Sequence, residues 1–144
     1  MNKGVSEMKK YAMKPDAATG LYRITSLRSF ADVKAGDDGG LIEYEANLSH
    51  DGECWVSGNA RVLGMAMIAG NAQVSDDAHV SGNARVFDNA LVTGNALVTG
   101  NARVFGNALV YGDAWVSDDA QISGNALVSG NALVSGNSWV PGDA

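Results

Sequence analysis

Cysteine is nearly absent. Cys54 is the one thiol in 144 residues, so no disulfide can close within the chain, and a reducing compartment suits it. Long apolar runs are missing as well. None approaches the roughly 18 residues that span a bilayer, and the opening stretch MNKGVSEMKKYAMK lacks the apolar segment of a secretory signal. The expected setting is the cytoplasm, away from membranes. Positive charge is scarce: ten Lys and Arg stand against sixteen Asp and Glu, for a net charge of −6. Neutralising a phosphate backbone takes clustered basic residues, which argues against nucleic acid as a partner. Histidine is limited to His50 and His79, too few for a three-histidine zinc site, and no metal is expected. Proline occurs twice and glycine eighteen times, the balance of a chain full of turns.

What the chain has in quantity is a six-residue beat. From Trp55 to Ala144 it divides into fifteen units without insertion, WVSGNA, RVLGMA, MIAGNA, QVSDDA and onward to WVPGDA. The second position is Val or Ile in all fifteen, and the sixth is Ala in fourteen, with Ser138 the exception. Positions four and five are mostly Gly-Asn, with Asp as the usual substitute. Within each unit, strand periodicity sends the second side chain to one face and the first and third to the other. The aliphatic residue therefore points inward. Gly-Asn turns the chain, because both residues tolerate positive φ, and the small sixth residue leaves room where the chain re-enters the core. A helix is excluded by glycine at this frequency and by a period other than 3.6. A short strand and a corner, repeated, make a coil. Three units per coil make a triangular prism in which residues i and i+18 stack about 4.8 Å apart.

This hexad, with its invariant aliphatic second position, resembles the repeat of the hexapeptide acyltransferases. The resemblance implies an all-β fold, a left-handed triangular parallel β-helix of five to six coils, and it is the resemblance that supplies the hand. It also implies parallel homotrimers and, in an enzyme of that group, acetyl-CoA as the co-substrate.

The beat reaches back beyond Trp55. Ile42 and Leu48 are six apart, Ala46 stands two before Leu48, and Leu48 to Val56 is six plus two, with HDGE as the extra corner. We therefore expect a tail and irregular cap over residues 1–39 and a β-helix over 40–144, regular from 55. Within the first part, a mobile tail is expected to about Pro15 and a strand at LYRITSL. Cys54 falls on the small corner position, as a structural thiol. The lead-in DVKAGDDGG…NLS…GECW, from Asp32 to Trp55, is similar to that of YdcK-like hexapeptide-repeat proteins. That resemblance implies a bacterial or prophage protein, of a group labelled transferases, and the host cytoplasm if a phage encodes it.

Laying out the outward positions by eighteens gives two unusual surfaces. Leu91, Leu109 and Leu127 form one ladder beside Tyr111, and Leu97, Trp115 and Leu133 continue it round the corner. A stacked apolar ladder is a contiguous patch, and a second copy of the chain is the expected partner. On the third face Arg85 and Phe87 stand beneath Arg103 and Phe105. Stacked like charges are unfavourable unless something negative sits on them. Asp88 is one candidate; an anionic small molecule held by guanidinium and ring is the other. Catalysis finds less support. His79 is the repeat's one histidine, in the generic context AHVSGNA. The Asp76/Asp77 and Asp118/Asp119 pairs fall on different corners, so they build no calcium cage. Pro141 and Asp143 read as blunting of the last sheet edge. The expected function is a non-catalytic, homotrimeric binding and assembly module, with no cofactor and an anionic small molecule in a groove between subunits. Two alternatives remain: an acyltransferase using acetyl-CoA through His79, and a phage-type decoy that sequesters a nucleotide signal or a partner protein such as a host enzyme.

Overall fold

Val92, Val98 and Val104 are each fully buried, and their inward direction sets everything else. A computed structural model describes residues 9–141. Fifteen two-residue strands, from Trp55–Val56 to Trp139–Val140, fall one to each hexad. They stack in three parallel sheets in the expected register: Leu91 lies beside Leu109, Leu97 beside Trp115 and Arg85 beside Arg103. The chain is a three-sided parallel β-solenoid, with six parallel strands on its longest face. Its core is a column of second-position Val and Ile, edged by sixth-position Ala. The column loosens at the last coil, where Val134 and Val140 are only half-buried and Ala132 is exposed.

Backbone hydrogen bonds explain why six residues suffice. Trp55, Ser57 and Asn59 donate their amides to the carbonyls of Ala72, Val74 and Asp76, and the units that follow, as far as the one starting at Gln121, repeat this into the next coil. The corner is closed by the sixth-position amide, which donates to the third-position carbonyl (Ala60 to Ser57, 3.2 Å). Only the fourth residue of the unit takes positive φ, whether glycine or Asp76, Asp88 and Asp118 at 58–60°. The expectation that asparagine shares this conformation is corrected: no asparagine has positive φ among the described residues. Asparagine works by its side chain instead. Asn71 Nδ2 donates to Asn89 Oδ1 at 3.2 Å, Asn89 to Asn107 at 3.3 Å, and Asn107 to Asn125 at 3.2 Å. A second corner runs Asn83 to Asn101 to Asp119.

The cap departs further from expectation. Residues 11–15, expected as part of a mobile tail, belong to strand β1 (Tyr11–Asp16), which pairs antiparallel with β2 (Leu21–Ser26). Two buried side chains hold it. Tyr11 donates its hydroxyl to the carbonyls of Glu45 (2.9 Å) and Leu48 (2.6 Å) and stacks on the His50 ring at 4.1 Å. Lys10 donates Nζ to the Cys54 carbonyl (2.7 Å) and reaches its Sγ at 3.3 Å. Pro15 is tolerated because β1 is the edge of its sheet, where a missing amide costs no ladder bond. The tail expected over residues 1–8 lies outside the described residues.

From β2 the chain enters β3 (Asp38–Ile42), antiparallel to β2 and parallel to Arg61–Val62. Leu41 pairs with Arg61 and Leu48 bridges to Ile68, each twenty residues on, whereas Trp55 pairs with Gln73 eighteen on. The two extra residues therefore sit between Leu48 and Trp55, as the spacing predicts. Cys54 fills the small corner slot and is fully buried; burial pushes its thiol pKa up and the Lys10 ammonium pKa down. Ala46 does not take the inward slot expected for it. It is exposed in a short 3-10 turn, Glu45–Asn47, and Asn47 is buried instead.

Glu45 ties this turn to its surroundings. It accepts from His50 Nε2 at 2.7 Å and from Lys9 at 3.2 Å, and the His50 hydrogen bond holds its carboxyl below the ordinary value of 4.5. A depressed carboxyl stabilises the fold above its unfolded-state pKa and loses that contribution as pH falls through the folded one. Acid titration of stability is expected to fall below about pH 4.5, and to fall less in a Glu45→Gln variant. Equal slopes for the two proteins would contradict this.

Candidate functional site

The third sheet carries Met67, Arg85, Arg103, Gln121 and Trp139 in register on its outer side. Strand alternation puts the third position of each unit on the same side, so Phe87 and Phe105 flank the two arginines. Their rings stack at 4.9 Å with planes 3° apart. Both guanidinium groups are exposed, and neither forms an ion pair among the described residues. Asp88, the expected counter-charge, is engaged elsewhere: Oδ2 accepts the Gly106 amide at 3.1 Å, one coil up on the corner. Among the described residues the column of positive charge has no acidic partner.

Beside Arg85 the surface is concave. A hollow of about 370 Å³ lies between the 3-10 turn and the first regular coil, walled chiefly by Tyr44, Met65, Met67 and Arg85. A second, of about 230 Å³, is formed by Met67, Ala69, Arg85 and Phe87. Arg85 and Met67 belong to both. Of the four ligand-binding candidates, then, Arg85 and Phe87 line a hollow, while Arg103 and Phe105 stand above it as the next rung. Tyr44, Met65 and Met67 escaped the sequence reading. A signal was present for one of them: RVLGMA is the single unit with neither Asn nor Asp at its fifth position.

The interface candidates fall on the other two sheets as expected. Leu91, Leu109 and Leu127 are stacked on one, and Leu97, Trp115 and Leu133 on the next. Exposure rises along the column. Leu91, Leu97 and Leu109 are half-buried, whereas Trp115, Leu127 and Leu133 stand 48%, 54% and 64% exposed. Tyr111 is exposed beside them.

His79 is half-buried between Arg61 and Leu97 in its sheet. It makes no side-chain hydrogen bond among the described residues, and no acidic residue is seated to orient the ring. His50 is far off in the cap, committed to Glu45 and to the Lys10 amide. Among the described residues, no three His, Cys, Asp or Glu converge as metal ligands. No described helix is long and apolar enough to cross a membrane.

Three parallel sheets, hexad corners and an interior aliphatic column define a β-solenoid of the hexapeptide-repeat class. Within that class the repeats are of a particular kind. The family model for the YdcK beta solenoid repeat matches residues 84–100, 102–118, 120–136 and 128–142, so the repeats across residues 84–142 are similar to those of that family. The likeness expected of the lead-in and, more loosely, of the repeats is thus found on the repeats across residues 84–142, and the lead-in itself lies outside the matched residues. No curated protein gives a significant match to the chain.

Proposed function

We propose that this solenoid works by binding and assembly rather than by chemistry: a homotrimeric prism that holds an anionic small molecule in a groove between subunits, on the Arg85/Arg103 column. The observation that carries the reading is the pair of stacked, exposed guanidinium groups, without an acidic partner among the described residues, beside stacked phenyl rings and above a concave floor. Guanidinium groups so placed recognise carboxylate or phosphate oxygens by paired N–H donors, and a flat ring beside them accepts the body of the ligand. The leucine ladders support the assembly. They present a stacked apolar surface on two adjacent sides, and burying that surface against a second copy removes it from water.

Native mass spectrometry of protein purified from cells tests both parts at once. The expected result is a mass of three chains carrying an acidic small molecule. Arg85→Ala with Arg103→Ala should release the small molecule and leave the trimer, while Leu109→Asp should yield single chains. A single-chain mass from the unaltered protein, or a trimer indifferent to Leu109→Asp, would overturn the assembly. No acidic adduct, or one retained by the double arginine variant, would overturn the anion site.

A further inference from the structure

The corner running through residues 65, 83, 101 and 119 loses its lowest rung to an apolar side chain. Asn83 donates to Asn101 at 3.1 Å, and Asn101 to Asp119 at 3.1 Å, but the rung below Asn83 is Met65. A thioether donates no hydrogen bond, so the ladder stops one rung early. The core gains nothing in exchange: Met65 is 77% exposed, the highest value among the large apolar side chains of the described residues, and neighbouring Met67 is 40% exposed. Tyr44, on the lip of the 3-10 turn, is 56% exposed. These three large apolar side chains line a hollow of about 370 Å³ together with Arg85. That volume lies at the low end of small-molecule pockets, about 300–1,000 Å³. Methionine is flexible and polarizable and moulds itself to irregular apolar guests.

We infer that the ligand is an amphipathic anion, a carboxylate on an apolar tail, with the tail laid over Tyr44, Met65 and Met67 and the carboxylate on Arg85. This rests on the anion-binding reading and adds the nature of the rest of the molecule. Its two halves match the two halves of the site. Arg85 is the one charged residue in the lining of the hollow, and a guanidinium presents paired N–H donors that match a carboxylate. A phosphate or acetate would satisfy the arginine and leave the thioethers wet. An uncharged tail would cover the thioethers and leave the arginine unanswered.

The probe is decanoate, with acetate and decanol as controls, followed on protein labelled in its methionine methyl groups. Decanoate should bind saturably and move the Met65 and Met67 methyl resonances. Acetate should move neither, and decanol should bind at least tenfold more weakly. Arg85→Gln should weaken decanoate at least tenfold, to the level of decanol. Met65→Asn, which restores the corner ladder, should weaken decanoate at least tenfold while leaving the thermal midpoint unchanged or higher. Decanoate that binds without moving these methyl groups, or with undiminished affinity for Met65→Asn, overturns the inference. If decanoate fails while protein from cells still carries an acidic molecule that the arginine variants release, the tail assignment falls and the anion site stands. If both fail, both fall.

Discussion

Asn47→Ala is expected to lower the unfolding free energy by about 4 kcal/mol, summed over buried groups that each cost ~1–3 kcal/mol when orphaned. Asn47 is 1% exposed, and its amide is fully engaged. Nδ2 donates to the carbonyls of Gly64 (3.0 Å) and Ala66 (2.8 Å), and Oδ1 accepts the amides of Glu43 (3.0 Å) and Tyr44 (2.7 Å). In every regular coil such carbonyls are met by backbone amides from the coil below. Here the chain has curled into a 3-10 turn, and the Asn47 amide is turned to the Tyr44 carbonyl instead. The side chain substitutes for the missing strand. Alanine would orphan two carbonyls and two amides at once. Urea unfolding measures the loss, and hydrogen exchange locates it: the Glu43 and Tyr44 amides should lose protection before the coils above. A loss below about 1 kcal/mol, the worth of a single ordinary hydrogen bond, would mean that this side chain does not hold the turn.

The second large effect separates two glycines that the repeat treats as equals. Gly100 and Gly130 occupy the same hexad position with φ of 66° and 63°. Alanine at either meets the left-handed penalty of about 1–2 kcal/mol. At Gly130 nothing lies within 4 Å of the new methyl, but at Gly100 it would sit 2.6 Å from the Asp118 amide nitrogen and 3.0 Å from its Cα. Backbone cannot rotate away, and overpacking adds roughly 1–3 kcal/mol. Gly100→Ala should therefore cost about 3–4 kcal/mol and Gly130→Ala about 1–2, measured as paired denaturation curves. Equal costs would mean that the coils are spaced more loosely than described. The aspartates at this position escape the comparison because each recovers a bond. Asp76 Oδ2 accepts the Gly94 amide and the Thr93 hydroxyl, Asp88 the Gly106 amide, and Asp118 the Gly136 amide. Alanine has no such return.

How far the sequence could be read follows from where the repeat holds. Val92 or Arg103 is placed by counting alone, because every unit has six residues and the strand alternates. The inward column, the three sides and the Arg85–Arg103 rung were all legible on that ground. Asn71 and its ladder partners were misassigned because side-chain and backbone preferences of asparagine point to the same corner, and only geometry shows which one operates. The cap was legible least. Lys10 and Tyr11 are anchored by Cys54, Glu45 and Leu48, more than thirty residues away, and no periodicity links them. The hollow beside Arg85 was missed for the same reason. It exists only because the 3-10 turn with Tyr44 is folded against the coil with Met65.

The antiparallel hairpin has one further consequence. Long stacks of parallel, in-register strands are the geometry by which amyloid recruits copy after copy. On its longest side this solenoid ends that stack with a reversal: β2 runs against β3, and the outermost strand β1 bears Pro15, with Lys14 bound to Asp38 at 3.3 Å. An arriving chain finds there a strand of the wrong polarity, short of one donor and charged. The hairpin is a stopper against templated growth as much as a lid on the core.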